Sequence, residues 1–297
     1  MYKKIIKCSV GVMAYNEEKN IAKILNALLD QELTQARISE IIVVSSGSTD
    51  TTNDIVKDFE KNNKKVRLII QPERKGKSSA INLFIENAKN DILIVESADT
   101  IPEKNTVERL LRPFNNPKVG MTGGRPIPVN KSDDFVGYAV NLMWKLHHKM
   151  SIFRPKLGEM IAFRKVFKTI PEKSAVDEAS IEAIVKASGL ECIYVSNAIV
   201  QNKGPESLDD FIKQRKRIAI GHMWLKENHG YNVTSSDITL LASLYFSECF
   251  QSPKDIMKIT ATMKLEAYCR LKGLFEYRFK KSNPFIWETI DSSKQLD

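Results

Sequence analysis

The chain has 297 residues, of which 42% are hydrophobic and 27% charged. That is enough for one large domain with an appendage, and too apolar for wholesale disorder. The formal net charge of +9 favours anionic partners, whether nucleic acid, an anionic membrane surface or a phosphate-bearing substrate; excess lysine on a solvated surface would give the same total. Cys8, Cys192, Cys249 and Cys269 form no C-x-x-C pair. This argues against a zinc site and suits free thiols in a reducing compartment. No run approaches the roughly 18 apolar residues a membrane span needs. The opening Met1 to Val12 reads as a first strand rather than a signal peptide, because its apolar run is short and polar Asn16-Glu17-Glu18 follows.

The first hundred residues alternate strand and helix patterns. Val10 to Ala14 is a short apolar run, and Asn16-Glu17-Glu18 reads as an acidic helix start. Ile21, Ile24, Leu25, Leu28 and Leu29 then recur at helical spacing. Ile41 to Val44 is a second strand, broken by Ser45-Ser46-Gly47-Ser48-Thr49-Asp50, with a helix from Thr52 to Lys61. Val66 to Ile70 is a third strand. The basic loop Arg74-Lys75-Gly76-Lys77 leads into a helix from Ser78 to Ala88, and Ile92 to Val95 is a fourth strand. Apolar strands separated by helices imply a parallel sheet covered on both faces, with ligands beyond the carboxyl ends of the strands.

The stretch from Arg112 to Pro171 is rich in Gly and Pro and shows no clear period. Asp177 to Ser188 reads as helix, Cys192 to Val195 and Ala198 to Val200 as strand, and Leu208 to Glu227 as a long helix. After Pro253, residues Ile256, Ile259, Met263, Ala267, Leu271 and Leu274 fall on one helical face. Between Lys254 and Lys281 eight basic residues stand against three acidic ones, more than half the net charge of the chain.

Rival chemistries lack their motifs. Neither G-x-G-x-x-G nor a P-loop follows the first strand, and no G-x-S-x-G marks a serine hydrolase. Asp99, after the fourth strand, could bind a hard cation that grips a diphosphate, or could merely cap the Thr100-Ile101-Pro102 turn. Asp177 and Glu178 open a helix. Either could deprotonate an acceptor hydroxyl, or both could simply complement the helix dipole. Of Arg215 and Arg217, one could clamp a diphosphate while the other pairs internally.

In order along the chain these segments resemble family 2 glycosyltransferases of the GT-A fold. Ala14-Tyr15-Asn16-Glu17-Glu18 looks like the first loop and Ser45 to Thr52 like the nucleotide-contacting loop. Lys75-Gly76-Lys77-Ser78-Ser79-Ala80-Ile81-Asn82 resembles G-K-x-x-A-L-N. Ser97-Ala98-Asp99 sits where D-x-D is expected, Val176-Asp177-Glu178 resembles the E-D motif, and Gln214-Arg215-Lys216-Arg217-Ile218 resembles Q-x-x-R-W. The match runs from about Lys7 to about His222. Ser97 replaces the first Asp of D-x-D, and Ile218 replaces the Trp associated with processive synthases.

The resemblance implies an α/β GT-A fold, Rossmann-like, with a mainly parallel central sheet flanked by helices. It implies a catalytic domain over 1–232 and a C-terminal helical extension over 233–297. It implies an inverting, metal-dependent transfer from a UDP- or GDP-linked sugar to a glycan or lipid-linked acceptor, with Mg²⁺ or Mn²⁺ on Asp99. Glu178, with Asp177 as fallback, would be the base. Ala14, Tyr15, Asn16, Glu17, Ser46, Lys77, Ala98, Gln214, Arg215 and Arg217 would bind the donor. The expected location is cytoplasmic, with the basic tail either lying on an anionic membrane or packing on the domain. Two other readings are a degenerate sugar-nucleotide binder, favoured by Ser97 and Ile218, and a nucleic-acid binder, disfavoured by the missing motifs and sparse aromatics of the basic tail.

Overall fold

The computed structural model describes residues 5–286. Early Lys3 and Lys4, and the last residues of the 233–297 extension, lie outside the described residues. The elements are β1 (Ile6–Ala14), α1 (Ile21–Leu29), β2 (Ala36–Ser46), α2 (Thr52–Asn62), β3 (Val66–Gln71), α3 (Lys77–Asn87), β4 (Ile92–Ser97), β5 (Thr100–Pro102), α4 (Thr106–Leu111), β6 (Val119–Pro128), α5 (Phe135–Phe153), β7 (Ile161–Arg164), α6 (Asp177–Ala187), β8 (Glu191–Asn202), α7 (Leu208–His229), α8 (Ile238–Gln251) and α9 (Ile256–Lys280).

One eight-stranded sheet runs in the order β3-β2-β1-β4-β7-β6-β8-β5. The four strands read from the sequence, β1 to β4, form its parallel half. β7 runs antiparallel to both β4 and β6, and β5 antiparallel to β8, while β6 and β8 are parallel. The second half falls in the region without a clear period. Its strands are short or irregularly paired, so alternation in the sequence is weak there. The two strand segments read from Cys192 and Ala198 are one strand, β8, whose pairing with β6 shifts register between Gly123 and Arg125.

Alternate residues of each strand face opposite sides. Val10, Val12, Ile41, Val43 and Ile94 join α1 and α4 residues Ile24, Leu25, Val107 and Leu110 in one core. Ile42, Val44, Leu93 and Val95 meet Ile81 and Phe84 of α3 and Ile181 of α6 in the other. Gly11 lets α3 approach: a Cβ there would lie 2.5 Å from the Phe84 ring.

Helix α1 starts at Ile21, with Asn20 at its N-cap and no acid in its first turn. The expected start at Asn16 is corrected. Asn16 has φ of +51°, outside the helical region. The polar stretch instead bonds across to the loop after β2: Asn16 N donates to Ser48 Oγ, Glu17 N to Thr52 Oγ1, and Glu18 N to Asp50 Oδ2.

The tail corrects a second expectation. Helix α9 buries Ile259, Thr262, Glu266, Cys269 and Gly273. Of the apolar face read from the sequence only Ile259 is buried, and Ile256, Met263, Leu271 and Leu274 are exposed. Two contacts with α7 set this rotation. Glu266 takes two 2.8 Å hydrogen bonds from Arg215 and a third from Arg270. Gly273 lies so close to α7 that a Cβ would meet Lys216 O at 3.1 Å. Helix α8 is anchored on α5 by Leu142, Leu146 and Met150 against Leu244 and Tyr245, and by buried Glu248 between Lys145 and Lys149. No helix among the described residues is long and apolar enough to cross a membrane.

Burial opposes ionisation of Glu266, but the Arg215 and Arg270 charges outweigh it and hold its carboxyl down to about 2. Its folded value therefore lies below its unfolded one. The stabilisation is complete above the ordinary glutamate range and is lost as pH falls toward 2. Glu266→Gln leaves Arg215 buried beside a neutral partner and should cost about 3–5 kcal/mol at pH 7, measured by urea denaturation. The gap to wild type should narrow as pH falls below about 4.5. A constant gap across that range would show that the charge pair is not its source.

Candidate active site

The loops after β1, β2 and β4 lie side by side, because Met13 pairs with both Val44 and Ser97. Ala14 pairs with Ser45, and Ala98 N bonds to Met13 O, so Ala14 and Ala98 form the floor of this edge. The Arg74 guanidinium stacks 3.9 Å over the Tyr15 ring. Asn16 Oδ1 accepts from Thr49 N at 2.8 Å. Glu17 is buried and accepts from Asn20 Nδ2, and Ser46 Oγ donates to Gln71 Oε1. Tyr15, Asn16, Glu17 and Ser46 thus occupy the ends of β1 and β2.

A cavity of about 250 Å³ opens beside that edge. Lys77, Ser97, Asp99 and Thr100 line one wall, and Glu178, Gln214, Arg215, Arg217 and Ile218 line another. The structure therefore gathers Lys77, Asp99, Glu178, Gln214, Arg215 and Arg217 around one space. Ala14, Tyr15, Asn16, Glu17, Ser46 and Ala98 are not among its lining residues.

Lys77 is the first residue of α3. It follows Gly76, whose φ of +90° turns the basic loop into the helix. Ser78 Oγ bonds to Ser174 O, and Asn82 bonds reciprocally with the backbone of Ile170, so α3 is tied to the segment that enters α6. This brings the Lys77 ammonium to 2.7 Å from Glu178 Oε1 and 3.0 Å from Asp177 Oδ2. Both acids stand in the first turn of α6, where the helix dipole favours negative charge. The Asp177 side chain is 1% exposed and that of Glu178 is 19%. Glu178 is the one that reaches the cavity.

Burial, then the neighbouring Glu178 charge, pushes Asp177 up to about 6. Burial also opposes ionisation of Glu178, but the Lys77 charge and hydrogen bond outweigh it and hold that carboxyl below its ordinary value. Lys77 is burdened by burial and yet held well above the usual lysine range by the two acids. The Lys77 ion pair thus favours the ionised form of Glu178.

On α7, Arg215 and Arg217 are two residues apart and face different ways. Arg215 is committed to Glu266. Arg217 lies nearer the carboxylates: burial lowers it to about 10 against the pull of Asp177, Glu178 and Asp99. The internal pairing weighed for one of the two arginines falls to Arg215.

Sequence reasoning missed Glu159, Lys156, Trp144, His147 and His222, which also line the cavity. Glu159 has φ of +54°, and burial, then Glu178 and Asp99, raises it to about 7. The available signal was the charged pair Lys156 and Glu159 just before the apolar strand Ile161–Arg164.

Asp99 is the only carboxylate of the D-x-D-like segment that lines the cavity. Glu96 turns away: it is fully buried, accepts from Thr100 Oγ1, and burial raises it well above the ordinary range. Among the described residues no group of three His, Cys, Asp or Glu side chains could hold a metal alone. One carboxylate beside a diphosphate-sized cavity does fit a Mg²⁺ or Mn²⁺ whose other ligands are water and phosphate oxygens, the usual arrangement for Mg²⁺.

The sheet and the acid-lined cavity past its strand ends define a GT-A protein. The chain belongs to glycosyltransferase family 2: the signature described as "Glycosyl transferase family 2" matches residues 9–175. A probable glycosyltransferase of Bacillus subtilis, YdaM, is 27% identical over 75% of this chain and 57% of its own length. The chain thus spans little more than half of that relative. A mannosyltransferase from Pyrobaculum calidifontis, solved with GDP-Man and Mn²⁺, superposes with a TM-score of 0.61 at 20% identity, covering 94% of this chain and 81% of that one. S. aureus TarS 1-349, solved with UDP-GlcNAc, gives 0.53 at 16% identity and covers 92% of each chain.

Lys77→Met should leave two buried carboxylates without their counter-charge. Burial would then raise Glu178 above its unfolded value, so stability would fall as pH rises through that raised value. The variant should lose about 2–5 kcal/mol at pH 8 and recover part of it at pH 5, by urea denaturation. An equal loss at both would refute the pairing.

Proposed function

We propose that the chain transfers a sugar from a nucleotide-diphosphate sugar to an acceptor hydroxyl with inversion. The observation that carries this reading is the presence of Asp99, Lys77, Arg217 and Glu178 on one cavity. Glu178 takes the proton of the acceptor hydroxyl as its oxygen bonds to the anomeric carbon. The bond to the diphosphate breaks on the opposite side and the nucleoside diphosphate leaves with the electron pair. Lys77 holds Glu178 ionised before reaction. Arg217, rather than Arg215, contributes the cationic contact to the leaving group. Asp99 would hold Mg²⁺ or Mn²⁺, which when bound offsets charge on the diphosphate. The ends of β1 and β2, with Tyr15, Asn16, Glu17 and Ser46, are assigned to the nucleotide. UDP- and GDP-linked donors are both candidates, since structural neighbours carry GDP-Man and UDP-GlcNAc.

The same reading places the enzyme at the cytoplasmic face of a membrane, with residues 233–297 as the extension that attaches it. On α9, Met257, Tyr268, Leu271, Phe275 and Phe279 are between 50% and 83% exposed. At 100° per residue they point away from buried Glu266. Lys264 and Lys272 are exposed on the same side of the helix. An apolar face framed by lysines fits an anionic lipid surface.

Glu178→Gln should lower transfer by about 10²–10⁴-fold and keep donor affinity, read by product formation and calorimetry. Full activity would remove Glu178 from the role. Asp99→Asn should weaken donor binding in Mn²⁺ and make it insensitive to chelator. Leu271→Glu with Phe275→Glu should reduce co-sedimentation with phosphatidylserine vesicles severalfold; unchanged partitioning would end the membrane assignment.

A further inference from the structure

Part of the same cavity forms a chamber whose side chains have no role in donor binding or in proton removal. Its lining includes Lys156, His147, Ser235 and Arg270, with Trp144 and Leu241 as apolar wall. Its polar groups are left waiting. Ser235 Oγ is buried with no hydrogen-bond partner among the described residues, and so is His147 Nδ1, although the His147 ring lies against the Lys156 backbone. Ser235 and His147 are 4% and 8% exposed. The Lys156 ammonium makes no ion pair or hydrogen bond among the described residues. A buried polar atom left unpartnered costs about 1–3 kcal/mol, so two in one chamber, beside the half-buried Lys156 ammonium, mark a place that a ligand completes.

The sign of that ligand follows from the charges. Arg215 and Arg270 share one carboxylate, Glu266, so their group carries an excess positive charge. Lys156 adds another. Burial, then Arg215 and Arg270, lowers Lys156 to about 8, and the same surroundings hold His147 and His222 neutral. Of the acids lining the cavity, Glu182 is engaged by Lys186 and Tyr231, Glu178 by Lys77, and Glu159 accepts from Asn202 close to Asp99. A neutral ligand would leave the cations uncompensated. An oxyanion would take hydrogen bonds from Lys156 and Ser235 and from a donor tautomer of His147.

We propose that the acceptor is itself anionic, its phosphate monoester or carboxylate held by Lys156, His147 and Ser235 while its hydroxyl reaches Glu178. This rests on the assignment of Glu178 as base. Trp144, edge-on to His147 at 5.1 Å, offers the apolar body of the acceptor a flat aromatic wall. Lys156 positions the acceptor and takes no part in bond breaking.

The test uses the full chain with saturating UDP or GDP and Mn²⁺, so that the donor site is filled. Glycerol 3-phosphate, glucuronate and a lysophosphatidate (a monoacyl glycerol 3-phosphate with one free hydroxyl) in detergent are titrated by calorimetry into wild type, Lys156→Gln and Lys156→Arg. Wild type and Lys156→Arg should bind at least one probe, and Lys156→Gln should bind it about tenfold more weakly or worse, the loss of one charge-assisted contact. Nucleotide affinity should be equal in all three, which also reports that the variants fold. Binding of glycerol 3-phosphate or glucuronate identifies a soluble anionic acceptor; binding of the lysophosphatidate alone identifies a lipid phosphate. Normal nucleotide binding with no probe bound, or a probe bound equally by Lys156→Gln, overturns the anionic chamber and leaves the transfer reading intact. Wild type that binds neither UDP nor GDP contradicts the donor reading, and the acceptor proposal falls with it.

Discussion

One ammonium between two carboxylates organises this site. Lys77, Asp177 and Glu178 are all largely removed from water, and none could stay charged there alone. Lys77 comes from the helix after the third strand and the two acids from a helix a hundred residues later. Their pairing therefore fixes α3 against α6, and with them the cavity between the parallel half of the sheet and α7. The bonds of Ser78 to Ser174 and of Asn82 to Ile170 reinforce the same junction. The two acids then differ by burial: Asp177 is closed in and raised, while Glu178 keeps a path to the cavity and stays ionised.

A second ion pair, between Arg215 and Glu266, does for the C-terminal helices what Lys77 does for the site. It turns one face of α7 toward α9 and leaves Arg217 on the side of the carboxylates. One helix thus joins tail to cavity, and Arg270 and Ser235, both beyond residue 232, complete the chamber wall. The extension is part of the cavity as well as a separate surface. Because its packing face is set by Glu266 and by close approach at Gly273, the large apolar side chains of α9 are left outside.

The parallel half of the fold was legible in the residues. Ile41 to Val44, Val66 to Ile70 and Ile92 to Val95 are short, apolar and separated by periodic helices, and each became a strand. Local pattern failed where pairing is non-local. β6, β7 and β8 are ordered by each other, with register shifts at Gly120 and Gly124 that no alternation announces. It failed again on α9, where a helical wheel ranks faces by hydrophobicity and cannot know that a buried arginine waits for Glu266.

What the sequence by itself determined is an inventory: the alternation of strands and helices through β4, the polar loops after each early strand, the adjacent acids at 177 and 178, and the basic tail. Those follow from spacing and propensity within a few residues, so they need no partner. Which acid meets the cavity, which arginine is spent internally, and which face of the tail is hidden were decided only by tertiary structure. Each depends on a charge brought from far along the chain into a place without water, where the nearest opposite charge settles the outcome.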